Sequence, residues 1–78
     1  MTTVLRQDGF AVMIYTHDHE PIHVHVFKGG GEVVIDVMKV EVREERGMKI
    51  KDIHKAQDIV ASHQEFLLKE WKRIGSLS

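Results

Sequence analysis

The chain has 78 residues, 42% of them hydrophobic, and a formal net charge of −1 from 11 Lys and Arg against 12 Asp and Glu. That length suits one small domain with a thin stability margin, and the charge balance leaves only a local patch to attract nucleic acid. Cysteine is absent, which excludes disulfides and thiolate metal sites, fits a reducing cytoplasmic setting, and leaves imidazole and carboxylate as ligands for any metal.

The opening segment, MTTVLRQDGF, has no basic stretch followed by a long apolar core, so it does not read as a signal peptide. No apolar run approaches the roughly 20 residues needed to span a bilayer. Asp8-Gly9 sits between two short apolar stretches and predicts a tight turn in a β-hairpin over residues 2–16. From Phe10 to Tyr15 nearly every residue is apolar, as suits a strand covered on both faces or partly covered by a partner. Residues 17–21, HDHEP, form a polar break in which Pro21 cannot donate a ladder hydrogen bond.

IHVHVF, near 22–27, alternates with period two, placing Val24 and Val26 on one face and His23 and His25 on the other. Gly29 to Gly31 predict a turn made by backbone freedom. A strand follows them rather than a helix start, which argues against a phosphate-cradling loop. Over 32–43 the apolar parity switches: Val33, Ile35 and Val37 are odd, whereas Met38, Val40 and Val42 are even. One regular strand would turn half of these to water. A bulge or turn near Asp36 to Lys39 is therefore expected, giving one bent strand or two short ones.

REERG reads as a solvated connection. From about 49 to 74 the spacing becomes helical: Ile50, Ile53, Ala56 or Gln57, Val60, His63 or Gln64, Phe66, Leu67, Trp71 and Ile74 form one apolar stripe, and Gly75 with Ser76 ends it. The expected fold is a single α+β domain over 1–78. Its antiparallel meander of about four strands is packed by one long C-terminal helix, the only element able to cover the sheet.

DHEPIHVHVF, residues 18–27, holds three of the six histidines around the only proline. Residues two apart on a strand lie about 6.7 Å apart on one face. His23 and His25 could thus converge on one divalent metal such as zinc, at about 2.1 Å per nitrogen. His19, across the Pro21 turn, could close a three-ligand set with an open position, and His17 and Asp18 lie nearby. The simpler reading has His23 and His25 facing solvent while His19 serves the turn. A metal-free acid–base role for His23 or His25 stays open, because imidazole titrates near neutrality.

Known patterns fail at required residues. A cupin-type set needs a carboxylate four or five residues after its H-x-H, and the first one after His25 is Glu32, beyond three glycines. The histidine-triad pattern needs a third alternating histidine where Phe27 stands.

His63 occupies a position on the helical stripe where leucine would be usual. It either satisfies a buried partner or approaches the strand histidines. His54, among Lys51, Asp52 and Lys55, reads as part of a solvated face. Arg43, Arg46, Lys49, Lys51 and Lys55 form a basic cluster that could meet phosphates. Glu41, Glu44, Glu45 and Asp52 are interleaved, however, and no aromatic is present to stack on bases, so a solvated surface is favoured over nucleic-acid binding. Lys69, Lys72 and Arg73 complement the helix dipole, and Trp71 reads as a core anchor. No residue sits in a recognisable nucleophile context.

DHEPIHVHV resembles the signature of a short bacterial family, domain of unknown function 4160: Asp/Asn-His-x-Pro-Pro-His-x-His-Val after a first apolar hairpin. Asp18, His19, Pro21, His23, His25 and Val26 match it, and Ile22 replaces the usual second proline. The resemblance continues through GGGEVVIDV and reaches His63, Leu67 and Trp71. Ile59 stands where many relatives have tryptophan, and the usual Thr-Gly turn after Asp36 is absent.

The resemblance implies no established activity. It does imply a gene pairing with domain of unknown function 2442, similar to toxin–antitoxin modules. The expectation is a cytoplasmic partner-binding protein whose functional patch is Asp18, His19, Pro21, His23 and His25, with His63 a candidate contributor. The alternative is a small metal- or histidine-dependent enzyme, nuclease-like, using the same histidines.

Overall fold

The computed structural model describes residues 1–15, 19 and 21–75. Among them are five strands and two helices: β1 (Thr2–Gln7), β2 (Phe10–Ile14), β3 (His23–Lys28), β4 (Gly31–Asp36), β5 (Glu41–Arg46), α1 (Ile50–Ser62) and α2 (Gln64–Gly75). The strands form one antiparallel meander in the order β1-β2-β3-β4-β5. The α+β meander with a helical layer is as expected, with one more strand and a divided helix.

Turn chemistry sets the hairpins. Asp8 and Gly9 both have positive φ, 52° and 82°, so a two-residue connection joins Gln7 to its partner Phe10 with a twist that matches the strands. Gly29 and Gly30 do the same between β3 and β4, with φ of 54° and 87°. Gly31 serves differently. A Cβ there would lie 2.8 Å from the Gly47 carbonyl oxygen and 2.9 Å from Met48 Cα. Two glycines thus supply the turn and the third allows a close approach, which accounts for all three without a phosphate.

The parity switch resolves as two strands. The connection occupies residues 37–40, Asp36 Oδ1 accepts the Lys39 N–H at 2.9 Å, and Val40 has a φ of 54°. A further register shift falls between Val34 and Ile35, opposite Arg43. Val37 is buried, but Met38 is 62% and Val42 39% exposed, so the even-numbered residues do not turn inward together. All six residues of β5 are exposed. It is an edge strand of mixed charge lying outside the covered part of the sheet.

The buried side chains Phe10, Val12, Ile14, Val24, Val26, Val33 and Ile35 share one sheet face and pack against Ala56, Ile59, Val60, Leu67 and Ile74. Ile50 and Phe66, placed on the stripe by their spacing, are 72% and 41% exposed. Ile59 is buried in the core. Among the described residues no helix is long and apolar enough to cross a membrane.

The single helix expected over 49–74 is broken at His63 (φ −128°, ψ 23°). An unbroken helix would give the Ile59 carbonyl to the His63 backbone N–H. Instead the His63 ring donates its Nδ1–H to Ile59 O at 2.7 Å, and the backbone N–H moves to Val60 O at 3.1 Å. Such side-chain competition for a helix carbonyl bends or ends helices. α2 restarts at once, with the Leu67 N–H donating to His63 O.

Candidate functional site

Val24 and Val26 are fully buried, and the strand period puts His23 and His25 on the opposite side. The helical layer covers the valine side, so the histidines stand outside the main core. In register, His25 pairs with Met13 on β2 and with Val34 on β4, and His23 pairs with Asp36. Tyr15, two residues beyond Met13, is thereby brought against the histidines at the end of the sheet where β2 stops and β3 begins.

The rings form a continuous group. Tyr15 stacks on His25 with centroids 3.9 Å apart and planes 5° apart. His23 meets His25 edge-on, at 5.3 Å and 65°. Trp71 reaches from α2 to His23, at 5.3 Å and 58°. The single tryptophan therefore has two duties, since it also packs against the hydrophobic core.

Each histidine is oriented through Nδ1. His23 Nδ1–H donates to the Pro21 carbonyl oxygen at 2.8 Å. His25 Nδ1 and Glu32 Oε2 are 3.0 Å apart, with the two side chains 12% and 21% exposed. A carbonyl or carboxylate oxygen only accepts, so the ring proton lies on Nδ1 in both and the basic lone pair of a neutral ring belongs to Nε2. A histidine held by a carboxylate in this way suits proton transfer or metal ligation.

Glu32 and Tyr15 escaped the sequence reading. Glu32 lies seven positions after His25, too far along the chain for an H-x-H metal pattern, yet the tight Gly29-Gly30 turn pairs Lys28 with Gly31 and Phe27 with Glu32. A residue facing Phe27 shares the face of His25. That hairpin register was the signal that could have found it.

The other candidates lie as follows. His19 and Pro21 are exposed, and Pro21 contributes its carbonyl. Asp18 and His17 lie outside the described residues. Among the described residues no three His, Asp or Glu side chains are placed to hold one metal ion. His63 serves the helix junction by its bond to Ile59 O, about 12 Å along the helix from Trp71 at 1.5 Å per residue.

Arg43 and Arg46 are exposed on β5 among Glu41, Glu44 and Glu45, while Lys49 and Lys51 are exposed at the start of α1. Lys51 lines an open cleft whose charges are mixed, with Lys28 3.6 Å from Asp52 and Lys55 3.5 Å from Asp8. On α2, the Arg73 guanidinium hydrogen-bonded to Glu70 holds that carboxyl below its ordinary range.

A family model, Domain of unknown function (DUF4160), matches residues 9–72. The chain belongs to the DUF4160 family. The match takes in Tyr15, His23, His25, Glu32 and Trp71, so the whole ring group lies inside the family domain. No curated protein and no solved structure shows significant similarity to it.

Proposed function

We propose that this DUF4160 protein is the partner-binding component of a two-gene module similar to toxin–antitoxin pairs, and that the His23–His25 patch is its binding surface. One observation carries the reading. Two imidazoles, Tyr15 and Trp71 are grouped, half-buried, at one end of the sheet, whereas the core of valines, isoleucines and leucine closes on the other face. Aromatic groups clustered in this manner supply a large rigid contact area at low entropic cost. The partner is the product of a neighbouring gene of the kind that the family resemblance names, domain of unknown function 2442. A cysteine-free chain suits its encounter in the cytoplasm.

The test is co-expression with that neighbour. The double variant His23→Gln, His25→Gln is expected to melt within a few degrees of the parent and to lose association. Unfolding of the variant would make the histidines structural, and association that survives would place the interface elsewhere.

The hydrogen bond between Glu32 and His25 favours a second reading, a small nuclease-like enzyme with His25 as general base. The carboxylate would orient the imidazole and stabilise its protonated form as it removes a proton from a nucleophile. Degradation of RNA or DNA by the purified protein, lost in Glu32→Gln, would favour this reading over a purely binding role.

A further inference from the structure

We propose that β5 is the interface of a homodimer, in which this edge pairs antiparallel with β5 of a second copy of the chain and the two sheets become one. The surface is separate from the His23–His25 patch and is argued from the edge alone.

β5 ends the strand order, pairs with β4 along one side, and has all six of its residues exposed. Such an edge offers backbone N–H and C=O groups to another strand, and charges along it normally deter one. The order of the charges decides which strand is admitted. In a two-fold antiparallel pair, if one residue faces a second across the axis, the second faces the first. With Glu41 opposite Arg46 of the second copy, Val42 falls opposite Glu45 and Arg43 opposite Glu44. Every arginine then faces a glutamate, and no like charges meet. A shift by one residue in one direction sets Arg43 on Arg43 and Glu41 on Glu45, and in the other it sets Glu44 on Glu44. Opposite charges directly across two strands stabilise the pair and like charges destabilise it, so the sequence selects one register and one partner, itself.

That register depends on the bulge. The two-fold axis of a continuous antiparallel sheet is normal to it, so residues paired across the axis must lie on the same face. In a regular strand Glu41 and Arg46 would point to opposite faces. Here Ile35 pairs with Val42 and Val34 with Glu44, which leaves Arg43 as an extra residue and resets the alternation. Glu41 and Arg46 consequently stand opposite Asp36 and Glu32, on the face away from the helices. Val42 and Glu45 stand opposite Ile35 and Val33, whose side chains enter the core. The bulge thus gives β5 the parity that its charge order requires. The two bulges also meet, because Arg43 lies beside the axis in each copy.

Apolar surface follows the same geometry. Val42, on the helix face, is 39% exposed, Met38 before the strand is 62% exposed, and Ile50 after it is 72% exposed. The antiparallel register carries the Met38 end of one copy to the Ile50 end of the other. Removing these side chains from water supplies a driving force that the charges alone lack.

The untagged full-length protein is examined by sedimentation equilibrium at about 100 µM, where a micromolar Kd leaves little monomer. A mass of twice 9.0 kDa is expected, with weaker association as NaCl rises from about 0.05 to 0.5 M. Arg43→Glu and Glu44→Arg should each weaken self-association about tenfold or more, because each sets like charges across the axis. Mixed one to one, the two variants should pair as the parent does, since every glutamate again faces an arginine. Recovery on mixing also shows that both variants are folded. The double variant His23→Gln, His25→Gln should leave the dimer intact, which separates this interface from the proposed partner-binding patch. A monomer at that concentration overturns the interface and leaves the edge to a strand of another protein or to solvent. Single variants that associate like the parent, or that fail to recover on mixing, overturn the pairing of Arg43 with Glu44 and the register with it.

Discussion

At Gly31 an added methyl would meet the backbone of Gly47 and Met48 at 2.8–2.9 Å, and backbone cannot swing aside as a side chain can. Gly31→Ala should therefore cost about 1–3 kcal/mol in denaturant unfolding, the usual range for overpacking. Gly29 differs in kind. Its φ is 54° and nothing lies within 4 Å, so Gly29→Asn, a residue that visits the left-handed region readily, should stay within about 0.5 kcal/mol of the parent. Equal losses at the two positions would show that conformation rather than contact governs both. Trp71 is half-buried against the core and against His23. Complete burial of such a ring is worth about 3–5 kcal/mol on truncation to alanine, and partial burial brings the expected loss for Trp71→Ala to about 2–3 kcal/mol. A loss below about 1 kcal/mol would mean that α2 does not dock through this ring.

The elements show which residues carry their own instructions. Asp8-Gly9 and Gly29-Gly30 state their turns locally, and the alternation of His23 to Phe27 states the faces of β3, so the hairpins and the side of β3 that carries the histidines were legible. Only the start of EVREER, to Arg43, falls within the strand expected over 32–43; Glu44 to Arg46 read as a connection, whereas the strand runs through Arg46. Its side chains are all exposed and give no apolar period, and it pairs because β4 offers a free edge. The break at His63 was hidden for another reason: the stripe runs Val60, Leu67, Ile74 on both sides of it, and a histidine ring taking a helix carbonyl leaves no trace in periodicity. Glu32 was hidden because its neighbour His25 is near in the hairpin and not in the chain. The junction itself is cheap to alter. In His63→Ala the ring's bond to Ile59 O is lost but the backbone N–H can return to that carbonyl, so thermal unfolding should shift stability by no more than about 1 kcal/mol. Gln64 is less forgiving, because its Nε2 donates to the carbonyls of Val37 at 2.8 Å and Met38 at 3.3 Å and ties α2 to the β4–β5 turn. Gln64→Ala should cost about 1–2 kcal/mol, and a neutral result would show that water replaces the tie.

Across the whole molecule the charges are dispersed rather than gathered into a field. The net charge is −1, β5 intersperses three glutamates with two arginines along an exposed edge, and the cleft beside α1 opposes Lys28 and Lys55 with Asp52 and Asp8. Charges arranged in this way keep a free sheet edge from pairing with unrelated chains and give phosphates no continuous track, which electrostatic binding to nucleic acid requires. The ring group at the other extreme of the chemistry, uncharged when its imidazoles are neutral, is the surface proposed for recognition. The prediction is that Lys49→Glu with Lys51→Glu leaves the circular dichroism spectrum and the unfolding midpoint within error of the parent, since both side chains are exposed and surface pairs contribute about 0–1 kcal/mol. Neither parent nor variant should shift duplex DNA or single-stranded RNA at physiological salt. Salt-dependent retention of either nucleic acid by the parent, lost in the double variant, would establish the start of α1 as a phosphate-binding surface and move the proposed functional centre away from His23 and His25.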